Sequence, residues 1–246
     1  MSSSLNINSL AFFYLFIYFF ETNQKYIYIN SENDTCDEGA SLIGSSLTNI
    51  KNLSNLTLNI QQFYELFIII YKRVSALGSF FENYKSLSIF KLNLQFNKIG
   101  ILGAKNLGTC LEKCTNLTDL ALNLVRNEIE KQGAFGLCSP LVNCINLKIL
   151  SLNLGNNNIG DEGVQNIGSV LKNIPKLSYL TLFLYQNQIS SQGALSLCSN
   201  IAECPKLSSL TMSLGSVVNK CLFKKFSTDH LFNTHIRPKL FDKIVL

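Results

Sequence analysis

The amino-acid sequence predicts an α/β fold: a curved, right-handed solenoid of about six repeated units, with parallel strands on the concave face and helices on the convex face. Three observations carry this expectation. The chain repeats itself every thirty residues, with leucine at 87, 117, 147, 177 and 207 and asparagine at 97, 127, 157 and 187, and a fixed period of this size marks a solenoid. Each unit opens on alternating leucines, such as Leu150, Leu152 and Leu154 around Ser151 and Asn153, the period-two pattern of a half-buried strand. Each closes on apolar residues at helical spacing, such as Val164, Ile167, Leu171 and Ile174. Strand and helix alternating within one short unit make the strands parallel. No unit can bury its leucines alone, so stacking supplies the core.

Taken in order, the chain starts with an apolar segment, residues 1–30. Residues 10–20 are an unbroken run of eleven apolar side chains, too short to span a bilayer. The run lacks the basic start and small-residue cleavage site of a signal peptide. A targeting segment, an apolar cap on the first unit and poorly specified or wrongly predicted sequence all stay open there. The solenoid is expected over 31–215. Ala40, Ile43, Leu47 and Ile50 have the helical spacing, and Leu53, Leu56 and Leu58 begin a strand ladder. The next interval, Leu53 to Leu87, is thirty-four residues. Within it, residues 61–73 lack the expected asparagine and glycine. A binding insertion and a mistranslated stretch, such as a retained intron, both account for it, and a Phe-, Ile- and Tyr-rich composition like that of the N-terminal run favours the second. Helical spacing returns with Val74, Leu77, Phe81 and Tyr84.

The well-formed units follow. Their helix faces are Ala104, Leu107, Leu111 and Cys114, then Ala134, Leu137, Leu141 and Cys144, and finally Ala194, Leu197, Ile201 and Cys204. Glycines 103, 133, 163 and 193 stand where each helix is expected to begin. Leu210, Met212 and Leu214 start one more strand, and then the period is lost. Residues 216–246 carry six basic and two acidic side chains among Phe223, Phe226, Leu231, Phe232 and Phe241. They read as a basic tail or as the cap that closes the open end of a solenoid.

The ladder Leu-x-x-Leu-x-Leu with its following asparagine and helix resembles the leucine-rich repeats of the ribonuclease-inhibitor type, over about residues 34–214. One departure is systematic. An extra Asn-Leu pair (Asn93 and Leu94, Asn123 and Leu124, Asn153 and Leu154) lengthens the strand motif, in a style resembling ciliate leucine-rich repeat families. The resemblance implies a non-catalytic scaffold. Repeats of this type also occur in activators of small GTPases, where a turn residue aids nucleotide hydrolysis. Arg126 is the arginine placed in a post-strand turn here, so a regulator of a GTPase or kinase is the alternative.

Composition narrows the classes. Charged residues are 15% and hydrophobic ones 47% of the chain, too apolar for disorder. The units are close to neutral, whereas a nucleic-acid groove needs a basic stripe. Neither nucleic acid nor membrane is expected as a partner, and a monomer is expected. Of eight cysteines, Cys114, Cys144 and Cys204 share the slot that Ile174 fills. They therefore read as reduced core thiols, which places the protein in the cytoplasm. The two histidines, His230 and His235, lie outside the units, so no zinc pattern forms. A secreted recognition repeat would need cleavage near the start and glycans at Asn52, Asn55 or Asn116. Those sequons flank leucines expected to be buried, where a glycan is awkward.

No phosphate loop, dinucleotide fingerprint or nucleophile elbow is present. No enzyme, cofactor or metal is expected. Asp161 and Glu162 suit a solvated turn or the acidic start of a helix better than acid–base work. Three columns should face outward from the strands: Ile89, Asp119, Ile149 and Tyr179; Lys91, Ala121, Ser151 and Thr181; Asn93, Asn123, Asn153 and Phe183. The expected protein-binding residues are Lys91, Asn93, Asp119, Asn123, Asn153, Tyr179, Phe183 and Tyr185, with the three aromatic rings as anchors.

Overall fold

The computed structural model describes residues 26–31, 54–60 and 86–215. The apolar run at 10–20, the irregular stretch at 61–73 and the tail at 216–246 lie outside the described residues. Seven strands form one parallel sheet in sequence order: β1 (Tyr26–Ser31), β2 (Asn55–Ile60), β3 (Ile89–Asn93), β4 (Asp119–Asn123), β5 (Ile149–Asn153), β6 (Tyr179–Phe183) and β7 (Ser209–Ser213). β1 ends at residue 31, where the solenoid was expected to begin. Its residues Ile27 and Ile29 stand in register with Leu56 and Leu58.

Four helices alternate with the later strands: α1 (Gly100–Glu112), α2 (Glu130–Cys138), α3 (Gly160–Leu171) and α4 (Ser191–Ala202). The sheet is in register throughout. Ile89, Asp119, Ile149, Tyr179 and Ser209 stand side by side, as do Leu92, Leu122, Leu152, Leu182 and Met212. The inward column of Phe90, Leu120, Leu150, Leu180 and Leu210 is buried, each side chain contributing roughly 1.5–3 kcal/mol. On the far side of the core the helices bury the spaced positions expected of them, among them Ala104, Leu107 and Leu111, or Val164, Ile167 and Leu171.

The turn after each strand is the most regular part of the molecule. Asn97, Asn127, Asn157 and Asn187 are at most 1% exposed. Asn157 shows why. Its Oδ1 accepts from the N–H groups of Asn127 (2.9 Å) and Ile129 (3.3 Å) in the preceding unit. Its Nδ2 donates to the carbonyls of Leu124 (2.8 Å), Leu154 (3.0 Å) and Gly155 (3.1 Å). Asn127 and Asn187 repeat the pattern one unit away. A turn that enters the core must satisfy its buried polar backbone, and one amide with an acceptor and two donors does so for two units at once.

That geometry imposes strain. Residues on either side of the ladder asparagine are left-handed: Phe96, Arg126, Asn156 and Gln186 before it, Lys98, Glu128, Asn158 and Gln188 after it, all with φ between 47° and 64°. Outside glycine this region costs about 1–2 kcal/mol per residue. The third left-handed place is Gly100, Glu130 and Gly160. There the chain enters the helix, three residues before the glycines 103, 133 and 163 from which the helices were expected to start. In the fourth unit Ser190 is extended instead (φ −82°), and its hydroxyl accepts from the N–H groups of Gln192 and Gly193. This is an N-cap of the ordinary kind.

The helices themselves differ. The spacing of Ala134, Leu137, Leu141 and Cys144 suggests one continuous helix, yet α2 stops at Cys138 and a 3-10 turn spans Ser139–Asn143. Pro140 explains the change, because it has no N–H for the carbonyl four residues back. All four spaced residues are buried nonetheless. Near this break α1 and α2 touch backbone to backbone. A Cβ at Gly108 would run into the carbonyl oxygen of Gly136 and lie 2.8–2.9 Å from the backbone of Leu137.

Candidate interaction surface

The outward columns form as alternation requires, since side chains along a strand point to opposite faces. The first is Ile89, Asp119, Ile149, Tyr179 and Ser209, and the second is Lys91, Ala121, Ser151, Thr181 and Thr211. The third is Asn93, Asn123, Asn153, Phe183 and Ser213. Lys91 and Tyr179 are exposed, while Asp119, Phe183 and Tyr185 are half-buried.

Three of the expected contact residues have local work. The Oδ1 atoms of Asn93, Asn123 and Asn153 accept from the N–H groups of Gln95, Val125 and Gly155, at 3.3, 3.4 and 3.3 Å. The Asn of the lengthened motif thus holds the bend that leads into the buried turn. The Nδ2 of Asn123 also reaches Oε1 of Gln95 at 3.4 Å. Leu94, Leu124 and Leu154 keep the ladder going past the strand, donating to the carbonyls of Asn123, Asn153 and Phe183 of the next unit.

The three aromatic residues divide. Tyr179 is 52% exposed beside Ile149, which is 41% exposed. Tyr185 is half-buried because its ring covers Gly155, where a Cβ would press on the ring atoms. Phe183 takes the place of the bend-holding asparagine in β6. Ile149 stands in the first column but was not among the expected contact residues. Exposure beside Tyr179, rather than residue type, is the signal that marks it.

Elsewhere, Arg126 is exposed and left-handed, with its guanidinium carbon 5.3 Å from the centroid of the Phe96 ring. Asp161 and Glu162 fall in the first turn of α3. Both Asp161 oxygens bind Ser190, one at its N–H (2.7 Å) and one at its hydroxyl (2.5 Å). The carboxylate therefore positions the cap of the next helix. Among the described residues, six cysteines are free thiols buried on the helix side. Desolvation pushes Cys138 and Cys198 up to about 12, and Cys110 to about 11 with Lys113 pulling the other way. Desolvation and the neighbouring Cys144 and Cys110 push Cys114 to about 12, and desolvation with Glu112 pushes Cys144 to about 11. Such thiols are poor nucleophiles at neutral pH. Among the described residues no cluster of His, Cys, Asp and Glu is arranged to hold a metal ion. None of the helices there is long and apolar enough to cross a membrane. Asn116, expected to be an awkward glycan site, is exposed although Leu117 is buried.

Residues 146–168, which hold β5, the ladder asparagine Asn157 and most of α3, match the model of a leucine-rich repeat. This one unit is thus similar to a leucine-rich repeat. No curated protein matches the chain. Among solved structures, a protein from Bacteroides fragilis is similar at 16% identity and a TM-score of 0.46 over 81% of this chain. The aligned part is 63% of that protein, less than two thirds of its length.

Proposed function

We propose that the protein is a non-catalytic scaffold that binds a protein partner through the outward face of its strands. In this reading the molecule is a monomeric, curved, right-handed solenoid of the ribonuclease-inhibitor-like type. It works in the cytoplasm, with its buried thiols reduced. The observation that supports the reading is the exposed pair Ile149 and Tyr179. Two large side chains stand in water, side by side, on a face whose remaining outward residues are mostly small or polar. Exposed aromatic residues of this kind anchor protein contacts. Lys91, Asp119 and Phe183 border the same face, and the asparagines 93, 123 and 153 shape it from within.

The test compares the wild-type chain with Ile149→Ser and Tyr179→Ser combined, each immobilised and exposed to extract, with bound proteins quantified by mass spectrometry. A partner held by the wild type and lost from a variant of unchanged melting temperature is the expected result. Identical bound sets would sink the proposal. The GTPase-regulator alternative is separated by Arg126→Ala, which on the scaffold reading leaves any GTPase's hydrolysis rate unaltered. Tryptic mapping of Asn116 in native protein checks the cytoplasmic reading, since a glycan there would overturn it.

A further inference from the structure

The second outward column has a shape of its own. Across four strands its residues are Ala121, Ser151, Thr181 and Thr211, all small. The columns on either side carry Ile149 and Tyr179, and Asn153 and Phe183. The result is a furrow that crosses the strands. Its floor is small and hydroxyl-bearing, and its walls are apolar or amide. Neighbouring strands lie about 4.8 Å apart, so four floor residues span roughly 14 Å, the length of about four extended residues.

Charge is distributed unevenly along this furrow. At its far end β3, β4 and their turns carry Lys91, Lys98, Asp119, Arg126 and Glu128. Among the described residues, the outward positions of β5, β6 and β7, and the turns at 155–158 and 185–188, carry no side chain ionised at neutral pH. They offer rings, hydroxyls and amides. A partner segment bearing charges would lose their hydration here without gaining a counter-charge. Main-chain N–H and C=O groups, by contrast, find donors and acceptors along Ser151, Thr181 and Thr211.

We propose that this furrow is the docking site for an uncharged, extended peptide segment of a protein partner. One apolar side chain of that segment seats beside Ile149 and Tyr179, and its main chain lies over the Ser151, Thr181 and Thr211 floor. The proposal rests on the strand-face reading above and narrows it to one half of the face and one partner chemistry.

A phage-displayed library of random dodecapeptides, panned over the full-length protein, tests it. Enriched peptides should share an uncharged core with an aliphatic or aromatic residue, and synthetic copies should bind equally well at low and at about 0.5 M salt, since no ion pair is there to be screened. Thr181→Lys, which fills and charges the furrow, should weaken them at least tenfold with the melting temperature unchanged. Ile149→Ser should weaken them severalfold, and Lys172→Ala, at the end of α3 away from the strand face, should leave them unaffected. A charged consensus lost with salt and with Lys91→Ala overturns the furrow proposal but keeps the strand-face reading. Peptides indifferent to every strand-face substitution sink both. An absence of enriched peptides, with binding to a soluble neutral oligosaccharide such as laminarihexaose, overturns the peptide assignment in favour of carbohydrate.

Discussion

The strand-and-turn half of each unit and the helix half are built to different tolerances. In the first, the left-handed residues, the buried asparagine and the backbone contacts recur at thirty-residue intervals with little change. Gly100, Glu130 and Gly160, for instance, all donate to the backbone carbonyl of the next unit's ladder asparagine, at 2.8, 2.8 and 2.9 Å. In the second, helices of 13, 9, 12 and 12 residues pack side by side, one of them cut short by Pro140 and another begun by a capping serine. Hydrogen bonds explain the contrast. They are directional, and a buried group left without its partner costs about 1–3 kcal/mol. Apolar contacts between helices are non-directional, so several backbone paths fill the same space.

The largest expected effect breaks the first half at its centre. Asn157→Ala leaves the N–H groups of Asn127 and Ile129 and the carbonyls of Leu124, Leu154 and Gly155 without their amide partner. A loss of about 3–5 kcal/mol is expected. Chemical denaturation followed by far-ultraviolet circular dichroism measures it, since the chain has no tryptophan to serve as a fluorescence probe. A loss below about 1 kcal/mol, the net worth of a single ordinary hydrogen bond, would show that water replaces the amide and that the ladder is not what holds the units in register.

Much of this half was legible in the sequence. The ladder asparagines, the strand alternation and the outward columns can be counted from the thirty-residue period, and register follows once every unit has the same length. What escaped was conformational. Glu130 stands in a left-handed place that glycine holds in two other units, and nothing in its residue type announces that. Asn93, Asn123 and Asn153 read as outward-facing contact residues, whereas their side-chain carbonyls hold the bend two residues on. A polar side chain on a strand has the same spacing whether it serves the fold or a partner. Ile149 and Tyr179 were already neighbours in one expected column, but only their exposure, 41% and 52%, marks Ile149 as a contact residue beside Tyr179.

The helix half can be tested at its tightest point. Gly108→Ala places a methyl group against the carbonyl of Gly136 and the backbone of Leu137. Alanine's better helix propensity, about 1 kcal/mol over glycine, is outweighed if the two helices cannot separate, for a net loss of about 1–3 kcal/mol. Increased stability in thermal melts would instead mean that this half yields even where its backbones touch.

The thiols distinguish the halves by pH, because the six buried cysteines among the described residues lie on the helix side. Desolvation raises Cys138 to about 12 from an ordinary 9.0. Its folded value lies above its unfolded one, so its contribution to stability is fully present below about pH 9 and is lost as pH rises toward 12. The slope for one such thiol is at most about 1.4 kcal/mol per pH unit. Unfolding measured at about pH 8 and about pH 10.5, on either side of the ordinary thiol value, should show stability falling with alkalinity, and Cys138→Ala should make that fall shallower. An unchanged slope would remove burial of this thiol as the cause.

The smallest effects concern the entry into the helix, where the two halves meet, and there a paired substitution separates backbone strain from packing. Gly160 has φ of +64°, and a methyl group added there would have nothing within 4 Å. Gly160→Ala therefore meets no neighbour and suffers only the left-handed backbone, for a loss of about 1 kcal/mol. Glu130 occupies the equivalent place with φ of 57°. Glu130→Gly should therefore stabilise, by a little under the same amount because glycine loses more entropy on folding. Opposite signs of similar size would show that the turn dictates the backbone and the residue merely complies. If both substitutions destabilise, the Glu130 side chain makes a contribution of its own at the start of its helix, where an acidic group is favoured by roughly 0.3–1 kcal/mol. The shared turn would then be adjusted unit by unit, as the helices are.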